Sequence, residues 1–384
     1  MSQIRAIDIR LLGKKRTGDE TVFFNLTKEL LAQESAHTYL LLTNEQDPQK
    51  IASLQVGLGC LGKTNVRVVS LTGQNRFLWN LWTLPWFLLR HPVDVYHTQY
   101  ILPLFVPRRT KVVTHIHDVS FRAFPKLIGW RDRLFLALFI PRSLRRADLI
   151  IAPTQFTKDE IIRYFGTSPE KILVIGNALS ADFVTKESVD VELVREKYHL
   201  PARYIISVGT LQPRKNIPLL IYAFALLHKR LPDVSLVIVG NRQAHHYDTA
   251  IDDALASTAL GEAVCFPGYI AAQDVPLVIR RAALFVFPSL YEGFGIPLLE
   301  AFSQRVPAVV SDIPCFHEVA GEAALYFGGD SEQARIASCA EKMYTLLTDM
   351  KQRADSVSRG EGRLSLFSWK KSAELLARAY EELQ

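Results

Sequence analysis

The chain has 384 residues, of which 48% are hydrophobic and 22% charged, and its formal net charge is +6. This composition is ordinary for a globular protein and excludes a disordered or collagen-like chain, and the length predicts two domains of usual size. Four cysteines, Cys60, Cys265, Cys315 and Cys339, lie far apart and lack Cys-x-x-Cys spacing. They argue against a zinc site or a disulfide framework and fit a reducing cytosol.

Neither a targeting signal nor a membrane-spanning segment is recognisable. The N-terminus lacks the basic and then apolar pattern of a signal peptide. No run approaches the roughly 20 apolar residues that a transmembrane helix needs, and the longest candidate, residues 77–89, is interrupted by Asn80, Thr83 and Pro85. We therefore expect a cytoplasmic protein that is not an integral membrane protein.

Apolar runs of strand length alternate with helical patterns along the whole chain. In the first half these runs cover residues 4–9, 39–43, 66–69, 93–96, 111–117 and 172–175. In the second half they cover residues 204–208, 235–239, 263–266, 284–287 and 308–310. Strands that alternate with helices are typical of parallel sheets covered on both faces. The pattern predicts an α/β protein with two doubly wound, Rossmann-like domains that face a cleft.

The first predicted strand leads into a loop that contains Gly18 and precedes a helix, in which Phe23, Leu26, Thr27, Leu30 and Leu31 recur at helical spacing. In a doubly wound sheet such a loop lies at the carboxyl edge of the strands, where ligands bind. Asp19 and Glu20 follow directly and would repel a phosphate, so we expect them to face an acceptor hydroxyl or to cap the helix. The basic run at residues 14–16 could be no more than a solvated loop.

Residues 75–89 have the spacing of an amphipathic helix, with Phe77, Leu81, Pro85 and Leu88 on one face. Pro85 predicts a break in this helix. Core packing is the commoner explanation of such a pattern, and docking of the apolar face at a membrane interface is the more specific hypothesis.

The same segment opens a basic region. Residues 76–146 hold twelve Lys or Arg and only three acidic residues, and they include the tryptophans Trp79, Trp82, Trp86 and Trp130. Basic residues mixed with tryptophan suit an anionic membrane surface. They could also suit nucleic acid, but no nucleic-acid motif accompanies them. Solvated charges around buried tryptophans are the alternative interpretation.

The strand predicted at residues 111–117 leads to His115, His117 and Asp118. A lone histidine at a strand end is more often a structural hydrogen-bonding group than a catalytic one. His117, directly before Asp118 at the ligand edge, is the better candidate, and His115 would face away if the alternation breaks there.

A strand, a glycine loop and a helix start follow one another at residues 284–300. The apolar run is typical of a buried parallel strand. Gly293 and Gly295 permit a tight turn, and Pro297 suits the first turn of a helix. Free backbone N–H groups at such a helix start attract anions, phosphate above all.

Two glutamates frame this loop: Glu292 lies within it, and Glu300 is expected in the first turn of the helix. Carboxylates accept paired hydrogen bonds from vicinal hydroxyls, as a sugar or a ribose ring offers. Each glutamate could instead be a solvated acid or a complement to the helix dipole. The pair around a glycine loop favours polyol binding.

These motifs together resemble the signature of the retaining GT4-type glycosyltransferases, also described as glycosyl transferases group 1. The spacing from Glu292 to Glu300, with Gly-Phe-Gly between them, resembles the family's acidic motif. Residues 113–118 resemble the family's strand end that carries a His-Asp pair. Residues 147–154 and 175–178 resemble the segment that leads into its interdomain linker, and residues 207–216 resemble its phosphate-binding segment. The resemblance covers nearly the whole chain and implies the GT-B fold.

The resemblance also implies roles for particular residues. Arg214 and Lys215 would neutralise the diphosphate of a nucleotide-sugar donor, so that no metal ion and no cofactor is expected. Glu300 would bind the ribose hydroxyls and Glu292 the hydroxyls of the donor sugar. His117 would contact the donor sugar and the leaving phosphate.

Further donor contacts are implied in the loops and at the helix start. They are expected from Gly18, Gly209, Tyr269, Gly293, Phe294, Gly295, Ile296 and Leu298. Of these, Tyr269 would lie near the nucleotide base. The family usually has a glycine-rich loop where this chain has Thr-Gly-Asp-Glu-Thr, so only Gly18 carries over from that loop.

The implied organisation is an acceptor-binding domain at 1–190, a nucleotide-sugar-binding domain at 191–360, and a C-terminal helix at 361–384 that packs back on the first domain. The implied function is a retaining transfer of a mannose- or glucose-type hexose from a GDP- or UDP-sugar to a glycan or lipid-linked acceptor in cell-surface polysaccharide synthesis. We expect it at the inner face of the plasma membrane, in contact with lipid through residues 76–146 and without nucleic acid. A nucleotide-sugar epimerase and a non-catalytic nucleotide-sugar-binding scaffold are the alternatives.

Overall fold

The computed structural model describes residues 2–13, 18–73, 75–125, 129–183, 191–243 and 246–383. The chain forms two compact units. The first comprises Met1–Ala123, Trp130–Ala178 and Ser368–Gln384, and the second comprises Phe124–Gly129 and Leu179–Phe367. The changes between units at residues 178 and 368 differ from the predicted boundaries at 190 and 361.

A seven-stranded parallel sheet lies at the centre of the first unit. Its strands are β1 (Ile4–Asp8), β2 (Thr38–Thr43), β3 (Val66–Ser70), β4 (Val95–Gln99), β5 (Lys111–His115), β6 (Leu149–Ala152) and β7 (Ile172–Val174). They pair in the order β3-β2-β1-β4-β5-β6-β7. The order reverses between β1 and β4, as the predicted doubly wound arrangement requires.

Helices connect these strands. They are α1 (Gly18–Ala32), α2 (Pro48–Gly57), α3 (Arg76–Leu78), α4 (Leu84–Arg90), α5 (Ser120–Ala123), α6 (Trp130–Arg146) and α7 (Gln155–Phe165), with a π-helical turn at Trp79–Thr83 and a 3-10 turn at Pro169–Lys171. The apolar spacing predicted for α1 is confirmed, because Phe23, Leu26 and Leu30 are all buried.

The second unit contains a six-stranded parallel sheet. Its strands are β8 (Tyr204–Val208), β9 (Ser235–Val239), β10 (Val264–Cys265), β11 (Leu284–Phe287), β12 (Ala308–Ser311) and β13 (Ala324–Phe327). They pair in the order β10-β9-β8-β11-β12-β13, which reverses between β8 and β11. The sequence did not predict β13, because an apolar run of only four residues does not by itself distinguish a strand from a piece of helix; its two end residues are buried and its two central ones half-buried.

The helices of the second unit cover both faces of that sheet. They are α8 (Val191–Lys197), α9 (Ile217–His228), α10 (Ala250–Thr258), α11 (Val275–Arg281), α12 (Ile296–Ser303), α13 (Pro314–Ala320), α14 (Glu332–Thr348) and α15 (Met350–Leu364), with 3-10 turns at Ala181–Phe183, Pro213–Lys215 and Gly261–Ala263. Helix α9 is almost entirely apolar because it packs between the sheet and α14. This packing fixes the position of the loop before α9.

The C-terminal helix, α16 (Trp369–Glu382), belongs to the first unit and packs against α1. The hydroxyl of Tyr380 lies 2.6 Å from Nδ1 of His97, and the hydroxyl of Ser372 donates to the carbonyl of Gly176 at 2.6 Å. The guanidinium of Arg5, which is buried, pairs with Glu381. These polar contacts fix the helix on β1, β4 and the chain that follows β7.

The helical face predicted for residues 75–89 is wrong in part. Pro85 and Leu88 are buried as predicted, but Phe77 and Leu81 are exposed and Asn80 is buried. The reason is the π-helical turn at Trp79–Thr83, whose wider winding rotates the faces that a regular helix would keep aligned. Of the helices in the described ranges, none is both long and apolar enough to cross a membrane.

Candidate active site

The second unit brings two predicted motifs together at the point where its strand order reverses. The loop after β8 contains Gly209, Arg214 and Lys215, and the loop after β11 contains Glu292. β8 and β11 are paired neighbours, so both loops leave the same carboxyl edge. Ligands of doubly wound sheets bind at this switch point.

Glu292 joins the two loops through charge. Its Oε1 lies 2.5 Å from Nζ of Lys215, and its Oε2 lies 3.1 Å from Nη1 of Arg214. The backbone strengthens the connection, because the N–H of Leu290 donates to the carbonyl of Arg214 at 2.8 Å. Lys215 also lies 4.9 Å from the ring centre of Phe287. We refer to Arg214, Lys215 and Glu292 as the cationic cluster.

Glu292 is charged although it is 7% exposed. Burial by itself would raise its pKa, but the positive charges of Lys215 and Arg214 outweigh that effect and lower the pKa to about 2. The carboxylate therefore remains ionised at neutral pH and holds both cations at the sheet edge.

Close backbone packing positions the loop after β8. A Cβ atom on Gly240 would lie 2.5 Å from the carbonyl oxygen of Gly209 and 2.8 Å from the side chain of Leu211. Asn216 then adopts a left-handed conformation with φ of 54°, which ends the 3-10 turn and starts α9. Only glycine at residue 240 allows the loop after β8 to pass this close to β9.

The predicted glycine loop and helix start are present at α12, and anion binding there stays a prediction. Gly295 has φ of 95°, and a Cβ there would lie 2.8 Å from Phe316. This N-cap residue has no side chain that could cap the first turn, so the backbone N–H groups of that turn suit an anion. Phe294, Ile296 and Leu298 are buried in the core, and only their backbone can contribute to a donor site.

The structure corrects the predicted position of Glu300, and it does not bring Tyr269 into the cationic cluster. Glu300 lies in the second turn of α12, whereas the sequence placed it in the first, because the helix begins at Ile296. Tyr269 is 85% exposed on the loop after β10, and the structure does not bring its side chain into the cationic cluster. Its proximity to a nucleotide base stays a prediction.

The first unit places His117 at the carboxyl edge of β5. The imidazole is 6% exposed, and its Nε2 lies 2.7 Å from Oε1 of Gln99. Its ring stacks on His115 at a centroid distance of 4.3 Å. Burial lowers the pKa of His97 to about 3 and the pKa of His115 well below its usual value. His97 and His115 are therefore neutral and support His117 from the protein interior.

The sequence placed Gly18 in a loop, but it is the first residue of α1. Residues 14–17, with the basic run, lie outside the described residues. The carboxylate of Glu20 accepts the N–H of Gly13 at 2.7 Å. Asp19 faces His117 instead, with Oδ1 4.0 Å from Nδ1.

The chain matches two family models, Glycosyltransferase Family 4 over residues 16–183 and Glycosyl transferases group 1 over residues 191–363. It is 30% identical over 301 residues to O-antigen chain mannosyltransferase B of Escherichia coli, and the alignment covers 78% of this chain and 77% of that protein. The chain is a family 4 glycosyltransferase.

Other comparisons agree with this assignment. The enzyme is 27% identical over 264 residues to O-antigen chain mannosyltransferase RfbU of Salmonella typhimurium, which covers 68% of this chain and 66% of that protein. The crystal structure of HepE of Anabaena in complex with UDP and glucose is similar with a TM-score of 0.73 at 18% identity, and the match covers 99% of this chain and 100% of that one. The fold is GT-B. The epimerase and scaffold alternatives are not favoured, since the curated relatives are named as transferases.

Sequence reasoning missed Gln99 and Tyr100 in this glycosyltransferase. Gln99 ends β4 beside His117, and only its place at the carboxyl edge of a strand could have indicated it. Tyr100 has φ of 55° and its ring lies 5.5 Å from that of His117. A non-glycine residue in this conformation is strained, and such strain is concentrated at functional sites. Within the described residues, no group of three or more His, Cys, Asp or Glu could hold a metal ion.

Proposed function

We propose that the enzyme transfers a hexose, with mannose preferred, from a nucleotide-diphospho-sugar to a glycan or lipid-linked acceptor, with retention of configuration, in cell-surface polysaccharide synthesis. The observation that carries this proposal is the cationic cluster at the β8–β11 switch point of the second unit. The start of α12, at Gly295, lies in the same unit. Such an arrangement suits a diphosphate leaving group. The names of the curated relatives support mannose.

In this proposal each residue has a limited task. Arg214 and Lys215 neutralise the charge that develops on the leaving diphosphate, so that no metal ion is needed. Glu292 orients both cations, besides its expected contact with hydroxyls of the donor sugar, and Glu300 accepts hydrogen bonds from the ribose. His117 contacts the donor sugar. The acceptor hydroxyl attacks from the front face and passes its proton to the leaving phosphate, and trapping of a covalent sugar–enzyme adduct would contradict this.

Donor-dependent stabilisation tests the proposed function. A ligand that binds only the folded state raises the melting temperature by mass action. Melting is measured in EDTA with UDP, GDP and ADP, each free and with attached sugars, and we expect a clear shift with a GDP- or UDP-hexose that Glu300→Ala abolishes. A matched control is Glu332→Ala, an acid in the first turn of another helix, which should keep the shift. An unchanged melting temperature with every nucleotide and nucleotide-sugar, or a shift that requires added Mg²⁺, would contradict the proposal.

Ten exposed apolar side chains of the first unit lie on α3, the π-helical turn, α4, α6 and the segment before β5. The ring centroids of Phe77 on α3 and Phe135 on α6 lie 5.3 Å apart, and the N–H of Leu104 donates to the carbonyl of Asn80 at 2.7 Å. The ten residues are Phe77, Leu78, Leu81, Trp82, Trp86, Leu89, Leu104, Phe105, Leu134 and Leu138. We refer to these ten residues as the apolar surface. Exposed apolar side chains on neighbouring elements suit an interaction site.

Charge favours an anionic membrane as the partner of the apolar surface. The guanidinium of Arg90 lies 3.4 Å from the ring centre of Trp86, and Arg142 binds the carbonyl of Pro103 at 3.0 Å. Arginines beside exposed tryptophans suit a lipid interface with anionic headgroups. By contrast, Trp79 is fully buried and its Nε1 donates to Asp8. We propose that the enzyme docks peripherally on the inner face of the plasma membrane through the apolar surface.

Vesicle flotation tests this membrane contact. Trp82 is 68% and Trp86 50% exposed, so Trp82→Ser with Trp86→Ser should leave the fold intact while removing the two largest insertable side chains. We expect binding to phosphatidylglycerol-containing vesicles to fall at least about 10-fold, and binding to phosphatidylcholine vesicles to be weak throughout. Leu366→Ser, at an exposed leucine of the second unit, is the control. Equal flotation of all variants, or recovery of the wild-type enzyme only in the soluble fraction of cells, would overturn the proposal.

A further inference from the structure

Asp19 stands where the family resemblance leads one to expect a glycine loop, and the proposed function gives it no role. It is the second residue of α1, and its Oδ1 lies 4.0 Å from Nδ1 of His117. His117 is more than nine-tenths buried, yet among the described residues its Nδ1 has no hydrogen-bond partner. A buried polar atom without a partner is rare in folded proteins and needs an explanation.

The neighbours of His117 decide which ligand its Nδ1 can bind. Nε2 is already engaged, because it lies 2.7 Å from Oε1 of Gln99. Nδ1 is therefore the ring nitrogen that is left for a ligand. The carboxylate of Asp19, which is 46% exposed, only accepts hydrogen bonds. The pair therefore offers one imidazole nitrogen and one carboxylate acceptor.

A carboxylate acceptor beside a ring nitrogen favours a ligand group that can both donate and accept hydrogen bonds, as a hydroxyl does. A diphosphate offers mainly oxygen acceptors at neutral pH, and the negative charge of Asp19 would repel it. Hydrogen bonds of about 2.8 Å allow one hydroxyl to donate to Asp19 while an adjacent hydroxyl bonds to Nδ1 of His117. Adjacent hydroxyls are the common feature of sugar rings. The glycine loop of the family would leave this carboxylate out.

We propose that Asp19 and His117 form a subsite for two adjacent hydroxyls of a sugar ring, and that Asp19 is the specificity-determining residue of this subsite. The inference rests on the proposed hexose transfer. The acceptor sugar and the transferred hexose share this hydroxyl chemistry, and kinetics distinguish them because only one of them is present when the donor is hydrolysed without acceptor.

The test compares Asp19→Ala and Asp19→Asn with the wild-type full chain, using the nucleotide-sugar selected by the melting panel and methyl α-mannoside as acceptor probe. Transfer, hydrolysis of the donor without acceptor, and the affinity for the free nucleoside diphosphate are measured. Loss of a hydrogen bond to a charged group should change the affected constant about 10- to 100-fold in Asp19→Ala, and less in Asp19→Asn, which keeps one acceptor oxygen. Glu29→Gln, on the same helix, should behave as wild type.

The outcomes show whether the subsite binds the acceptor sugar or the transferred hexose. An acceptor subsite raises the KM for methyl α-mannoside and leaves donor hydrolysis unchanged. A donor-sugar subsite lowers hydrolysis and raises the KM for the nucleotide-sugar, while the affinity for the free diphosphate stays the same. A changed affinity for the free diphosphate, or constants within about two-fold of wild type, would overturn the inference alone. Failure of the wild-type chain to bind any nucleotide-sugar would overturn the proposed function and this inference with it.

Discussion

Replacement of Lys215 by methionine is expected to lower kcat/KM about 10³-fold, the upper range for loss of one preorganised group that stabilises developing charge. Lys215 is 8% exposed and its ammonium is held by Glu292, so it costs no reorganisation when the leaving diphosphate becomes more negative. Methionine keeps an unbranched side chain as far as the ε position and removes the ammonium group, with its charge and its hydrogen bond to Glu292. Steady-state kinetics with the donor selected by the melting panel measure the effect.

The same substitution should lower the free energy of unfolding by about 2 kcal/mol, because the buried carboxylate of Glu292 loses one of its two cationic partners. The double variant Lys215→Met with Glu292→Gln should recover much of this stability without recovering activity, which separates folding from catalysis. Arg230→Met, which breaks an exposed pair with Glu341 at 2.6 Å, is the control, and surface pairs contribute little. Near wild-type kcat/KM in a folded Lys215→Met variant would rule out the proposed role.

Acid should destabilise the second unit through Glu292. The pKa of this carboxyl is lowered from 4.5 to about 2, so its contribution to stability is complete above about pH 4.5 and is lost as the pH falls toward 2. Between pH 5 and pH 3, we expect the wild-type protein to lose roughly 2 kcal/mol of unfolding free energy more than Glu292→Gln. Urea denaturation at the two pH values measures this difference.

A carboxylate at the surface provides the comparison. Glu322 contacts Arg359 at 3.5 Å but its side chain is 86% exposed, so Glu322→Gln should show the same acid sensitivity as wild type. If Glu292→Gln is as acid-sensitive as both, then Lys215 and Arg214 do not hold Glu292 ionised, and the cationic cluster loses its electrostatic basis.

The doubly wound fold could be predicted from the sequence because buried parallel strands are continuous apolar runs. The runs at 204–208, 235–239 and 284–287 coincide with strands in the structure. The start of α12 could also be predicted, since Gly295 and Pro297 have local conformational preferences that hold in any context. Local chemistry of this kind can be read without knowing what lies nearby in space.

Other features depend on contacts between distant parts of the chain. The π-helical turn at Trp79–Thr83 reversed part of the predicted face, and it formed where tertiary packing buried Trp79 against Asp8. Gln99 carries no pattern of its own, and it became a site residue only because β4 and β5 are paired. Periodicity cannot show such contacts, because it reports the burial of a side chain and not the identity of its neighbour.

The sequence by itself therefore determined the family, the two parallel sheets and the residues Arg214, Lys215, Glu292 and His117 as candidates. Only the tertiary structure decided that Glu292 holds both cations. It also decided that Asp19 faces His117, whereas Glu20 accepts a hydrogen bond from the backbone of Gly13. The physical reason is that charge and hydrogen bonding act over a few ångströms in space. Residues 77 positions apart, such as Lys215 and Glu292, become neighbours only when paired strands bring their loops to one edge of a sheet.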